Sequence, residues 1–126
     1  MFNLSEKRKM ILYVQTSGVD TPERLYSPLV LAQTAKAMGI DAKIYFLGMG
    51  ITAVNRGEAE KIKMGSFPSL KEVMNQTIKA GVELLVCEQS TQLLNLERGN
   101  FIPEAKVVGA ATLNDLVLDA DATMWF

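Results

Sequence analysis

Short apolar runs alternate along this chain with stretches of helical periodicity, and that alternation restricts the fold more than any other feature. The runs are Met10-Ile11-Leu12-Tyr13-Val14, Ala42-Lys43-Ile44-Tyr45-Phe46-Leu47, Glu83 to Cys87, Lys106-Val107-Val108 and Ala122-Thr123-Met124-Trp125-Phe126. Met10 to Val14 is apolar without interruption, as a strand covered on both faces requires; a half-exposed strand alternates instead. Between the runs, Ser27-Pro28 supplies an N-cap and a first-turn proline before Leu29, Ala32, Ala35 and Met38, with Gly39 as the stop. Thr21-Pro22 offers an earlier start to the same helix, in which case Pro28 would kink it. Pro68 to Ala80 repeats Leu70, Val73, Met74, Thr77 and Ile78 at helical spacing and meets Gly81. Thr112, with Asp115 three residues on, opens a last helix carrying Leu113, Leu116, Val117 and Ala120. The expected fold is an α/β three-layer α/β/α sandwich with a mostly parallel sheet of about five strands and Rossmann-like or flavodoxin-like topology.

The chain has 126 residues, enough for one core and too few for two, so a single domain over residues 1–126 is expected. The formal net charge is -1, and the basic residues cluster chiefly at Lys7, Arg8 and Lys9, which leaves no broad basic face for a phosphate backbone; no nucleic-acid partner is expected. There is no histidine and one cysteine, so an internal disulfide and a Cys-rich zinc site are excluded, and neither metal nor cofactor is expected. Met1 to Lys9 places charge ahead of Met10 to Val14 in the manner of a secretory signal. The apolar run is too short for one, and Gln15-Thr16-Ser17 offers no cleavage pattern, so it reads as a first strand of a cytoplasmic protein. No segment is long enough to span a bilayer. Gly48 to Phe67 breaks the rhythm with Gly48, Gly50, Gly57 and Gly65, and reads as a short helix at Ile51 to Asn55 followed by a mobile loop, either a lid or contact surface or plain insertion.

Cys87 stands where the third run gives way to Glu88-Gln89-Ser90-Thr91, the kind of junction at which ligands meet an open α/β sheet. In a chain without histidine it is the best candidate nucleophile. A helix over Glu88 to Leu96 would set free amides beside its sulfur and favour the thiolate, while Glu88 next to it works in the other direction. A lone cysteine is also commonly a small buried apolar residue. Thr16-Ser17-Gly18-Val19-Asp20-Thr21 loosely resembles a hydroxyl-rich phosphate cradle, and Gly48-Met49-Gly50-Ile51-Thr52-Ala53 fits a G-x-G-x-x-A pattern, but after the second strand rather than the first. Both are equally explained by ordinary loop chemistry. The pairs Glu58/Glu60 and Asp119/Asp121 do not share a helical face and read as solvated charge. Trp125-Phe126 reads as a buried strand end or a subunit contact.

Tyr26-Ser27-Pro28-Leu29, Val86-Cys87-Glu88-Gln89-Ser90 and Val107-Val108-Gly109-Ala110-Ala111-Thr112-Leu113 through Leu116, Ala120-Asp121 and Trp125-Phe126 together resemble the DsrE/DsrF-like family from Met10 to Phe126. The resemblance implies a small α/β subunit of a trimer or hexamer. In the cysteine-containing branch it implies sulfur relay: sulfur accepted as a persulfide or thiosulfonate from a rhodanese or TusA-like donor and passed on. Cys87 would then be the sulfur-carrying nucleophile, with Glu88, Gln89 and Ser90 as anion donors through their amides and Ser17, Gly18, Arg24 and Tyr26 lining the approach. Related chains often carry Met or a small residue where Glu88 or Gln89 stands here. With no second cysteine to resolve a sulfenic acid, a peroxidase would need an external thiol. Two other readings stay open: a non-catalytic oligomeric binding module with a buried Cys87, and a flavin or nucleotide binder.

Overall fold

The computed structural model describes residues 8–126, so Met1 to Lys7 of the charged leading segment lie outside it. The apolar runs form β1 (Met10–Gln15), β2 (Asp41–Phe46), β3 (Glu83–Cys87), β4 (Ala105–Val108) and β5 (Ala122–Trp125). They make one sheet ordered β4-β3-β2-β1-β5 in which every neighbouring pair is parallel. Four α-helices connect them: α1 (Tyr26–Ala37), α2 (Leu70–Lys79), α3 (Glu88–Leu93) and α4 (Ala110–Asp119). The α/β sandwich expected from the sequence is the fold observed.

β1 shows why its run had to be apolar throughout. Tyr13 enters one core with Ile44, Phe46, Leu84 and Val86, while Leu12 and Val14 enter a second with Tyr45, Leu85 and Cys87. α1 and α2 cover the first core with Leu29, Ala32 and Ala35 and with Leu70, Val73 and Met74. Each large side chain buried this way stabilises the fold by roughly 1.5–3 kcal/mol before the entropy of ordering it is counted. The helices end where left-handed backbone is needed, at Gly39 (φ 78°) and Gly81 (φ 92°). α2 starts at Leu70, two residues after the Pro68 read from the sequence, with the Ser69 hydroxyl accepting the Glu72 N–H at 3.2 Å.

From β1 to β4 the chain advances across the sheet in one direction, and from β4 to β5 it returns over the intervening strands. A constant crossover hand then requires α4 to lie on the opposite face from α1 and α2, and Leu113, Leu116 and Ala120 pack there on the second core. The cover is thin. No residue of α4 is buried, and Leu118 and Trp125 are 82% and 54% exposed.

Several boundaries differ from the sequence reading. α1 starts at Tyr26, ahead of Ser27-Pro28, so Ser27 is not its cap. Pro28 then sits in the first turn, where a missing N–H breaks no helical bond and no kink is forced. Thr21-Pro22 opens a separate 3-10 turn at Pro22–Arg24. α4 begins at Ala110, capped by Gly109 rather than Thr112. α3 stops at Leu93, short of Leu96. The Gly48 to Phe67 segment contributes to the core: Gly48–Val54 is one 3-10 segment burying Ile51, Ala53 and Val54, Asn55 forms a bridge with Phe101, and Ala59 and Ile62 are also buried. Met49, Arg56, Glu60 and Lys61 are exposed within it, and from Lys63 to Phe67 the stretch is exposed throughout.

Candidate functional site at the carboxyl end of the third strand

β3 passes into α3 without a connecting loop, so Cys87 is both the last strand residue and the cap position of the helix, at φ -70° and ψ 119°. Beyond α3, Leu94 and Leu96 pack on the first core. The neighbouring β4, which sets Val108 beside Cys87, leads instead into α4 on the second core. Adjacent strands whose continuations part to opposite faces create the crevice where open α/β sheets bind ligands. Cys87 stands at that divergence.

Its sulfur is buried, with the residue only 2% exposed. Burial pushes the thiol upward and is the largest single effect on it. The Ser90 hydroxyl and amide, the Tyr45 hydroxyl and the Gln89 amide act together in the opposite direction and outweigh burial, leaving the thiol below its ordinary value. Ser90 is held for this role, because its Oγ accepts the Gly48 N–H at 2.7 Å, which leaves its own hydrogen to turn toward sulfur. Among the described residues the Cys87 side chain accepts no capping bond and the buried Tyr45 hydroxyl has no formed partner. These donors therefore surround the sulfur, and each favours its anionic form over its neutral one. Tyr45 is pushed above the usual phenol range by burial first and then by Cys87 itself, so it remains a donor.

Glu88 does not oppose the thiolate as its place in the sequence suggests. Its side chain is exposed and its carboxylate receives Arg98 Nη2 at 3.2 Å. A surface pair of this kind adds little stability; its effect here is to turn the carboxylate outward.

Of the other residues singled out by sequence, Gln89 and Ser90 reach the sulfur through their amides and Ser90 also through its hydroxyl. Ser17 and Gly18 lie after β1, two strands away. The Ser17 N–H is taken by Gln15 Oε1 at 2.9 Å, and Gly18 packs against Met49 and Thr52. The Arg24 carbonyl accepts Gln15 Nε2 at 3.0 Å, and its side chain is exposed. Tyr26 belongs to the first core, across the sheet from Cys87, with its hydroxyl directed to the carbonyls of Pro68 (3.1 Å) and Ile62 (3.5 Å). These four are not brought to the sulfur within one chain. The two glycine-containing loops also have much of their donor capacity engaged internally: Val19 N–H to Thr52 Oγ1, Thr21 N–H to the Gly18 carbonyl, Gly48 N–H to Ser90 and Gly50 N–H to the Leu47 carbonyl. A phosphate would have to displace those bonds.

Tyr45 was not among the sequence candidates. The available signal was a phenol inside an apolar run, since a buried tyrosine hydroxyl ordinarily needs a partner.

Two curated relatives, both uncharacterised, are similar in sequence. MJ0760 of Methanocaldococcus jannaschii is 24% identical over 81% of this chain and 37% of its own length. MK0008 of Methanopyrus kandleri is 28% identical over 75% of this chain and 73% of its own. The chain thus spans well under half of the first relative and about three quarters of the second. Among solved structures, YchN of E. coli superposes with a TM-score of 0.70 at 15% identity, and MTH1491 of Methanobacterium thermoautotrophicum, a protein of unknown function, with 0.68 at 11%; in both, 95% of this chain and all of the other are covered. Those likenesses are of fold. The DsrE/DsrF-like family matches residues 9–126, from the start of β1 through Cys87 to the last strand, and the chain belongs to that family, which is generally linked to sulfur relay.

Proposed function

We propose that the protein is a cytoplasmic sulfur carrier that accepts sulfur on Cys87 as a persulfide or thiosulfonate and passes it to a partner protein of the rhodanese or TusA-like kind. The observation that carries this reading is the convergence of the Ser90, Gln89 and Tyr45 donors on a buried sulfur that is nevertheless biased toward thiolate. A cysteine that only fills space has no use for such surroundings. In the loading step the Cys87 thiolate attacks the outer sulfur of a donor persulfide, forming a new S–S bond. The donor's S–S bond breaks, and its electron pair leaves on the donor thiolate. Transfer onward is the same exchange with Cys87 as donor, so no second cysteine is needed.

Incubation with polysulfide or tetrathionate is expected to add sulfur, seen by intact mass, to the wild type and none to Cys87→Ser. Equal masses for the two proteins would end the reading.

The 2% exposure of Cys87 favours a second reading, a non-catalytic oligomeric module in which the thiol is structural. A carrier must open locally to meet its partner, so a small alkylating reagent under native conditions should label it well before global unfolding; complete protection would support the module.

Either reading includes self-assembly. Val117, Leu118 and Trp125 border a hollow of about 390 Å³ with Leu113 and Asn114, on the face that α4 covers poorly. Light scattering is expected to give a trimer or hexamer of the 13.9 kDa chain, and Leu118→Glu to lower that mass; a wild-type monomer would count against assembly.

A further inference from the structure

We propose that Tyr45 is the positioning residue of the Cys87 site, a hydroxyl held without a partner in the thiol state so that it donates to the sulfur once the sulfur is anionic. β2 and β3 pair Tyr45 with Leu85, so on that face of the sheet Cys87 is the next side chain along β3, at the diagonal distance an aromatic side chain can span. Tyr45 is fully buried, and its hydroxyl oxygen has no formed hydrogen bond among the described residues. A buried, unsatisfied hydroxyl costs the resting fold free energy. Its retention beside the chain's one thiol is explained if the bond forms in the working state.

The other ionisable groups on this face leave the role to Tyr45. Lys43 and Lys106 both reach the Glu83 carboxylate at 3.5 Å, toward the other end of β3, and Glu88 is turned to Arg98. β1 presents only Met10, Leu12 and Val14 to this core, and α4 presents Leu113, Leu116 and Ala120. The inference rests on the carrier reading in one respect, that the anionic sulfur is the functional form.

Tyr45→Phe removes the oxygen and little else. With Cys87→Ser as baseline, the ultraviolet absorbance of the thiolate is expected to show an about tenfold lower thiolate-to-thiol ratio than wild type at a given pH, the scale of one hydrogen bond to an anion. Tyr13→Phe is the control. Tyr13 is also buried in β1, but it faces the first core and donates to the Leu31 carbonyl at 3.3 Å, so its loss should leave the thiolate ratio unchanged.

Stability separates positioning from packing. A thiol held low in the folded state contributes stability above the unfolded thiol's pKa, and that contribution is lost as pH falls through the folded value. Tyr45→Phe should therefore unfold at lower denaturant than wild type at alkaline pH, and at equal or higher denaturant at acid pH, where the hydroxyl is unsatisfied. A wild-type thiolate ratio in Tyr45→Phe, or the same loss of stability at both pH values, would overturn the proposal. Neither readout uses a sulfur donor, so such a result leaves the mass test of sulfur loading to be decided separately.

Discussion

Gly50→Ala is expected to destabilise the protein by about 3 kcal/mol, the upper end of the usual range for forced overpacking, and to disturb the Cys87 site with it. A Cβ at Gly50 would overlap the Gln15 carbonyl oxygen and stand 2.7 Å from the carbonyl carbon. Both are backbone atoms at the end of a central strand, so neither can rotate aside. The same carbonyl accepts the Leu47 N–H at 2.9 Å, and parting the segments would stretch that bond. Gly48, between those two contacts, donates to Ser90, and Ser90 faces the sulfur. A shift of the Gly48–Val54 segment is therefore passed to the site through one hydrogen bond. Urea unfolding of Gly50→Ala should show a midpoint well below wild type with an unchanged slope. A wild-type midpoint would mean that β1 and this segment are not locked together.

The second large effect is expected at Gln15. Its amide is fully buried, with Oε1 taking the Ser17 N–H at 2.9 Å and Nε2 donating to the Arg24 carbonyl at 3.0 Å. One side chain thus ties the turn after β1 to the segment that leads into α1. Gln15→Leu keeps the approximate bulk but strands a donor and an acceptor, at roughly 1–3 kcal/mol for each group left unsatisfied. A loss of about 3 kcal/mol is expected in denaturant unfolding, with faster hydrogen exchange at the Ser17 amide as its local signature. Unchanged exchange at Ser17 would show that water replaces the lost acceptor.

Leu12, Val14, Ile44 and Leu84 were readable as strand core from their runs alone, because a strand buried on both faces leaves no polar positions to confuse the pattern. Gly39 and Gly81 marked their helix ends for an equally local reason. Cap positions were less legible: Ser27 and Thr112 have the chemistry of caps, yet Leu25 and Gly109 occupy those places, since packing decides where a helix enters. The Gly48 to Phe67 segment looked loop-like from its glycines. Gly50 is there for close approach to β1, and the apolar residues around it fill the first core. Trp125 was readable as a buried strand end or a subunit contact, and the single chain leaves it exposed rather than buried.

At the site, one thiol, its place at a strand end and the amides that follow it were all legible along the chain, because each depends on sequence neighbours. Which groups surround that thiol depends instead on how the strands pack. Glu88, adjacent in sequence, points away to Arg98, whereas Tyr45, far earlier in the chain, shares the core in which the sulfur is buried, and Tyr26 lies across the sheet from it. The reason is strand register and facing: a parallel pairing brings distant residues side by side, and a shift of one residue would send each to the other core. Periodicity along one chain holds no record of that choice, which is made by how β2 and β3 pack together.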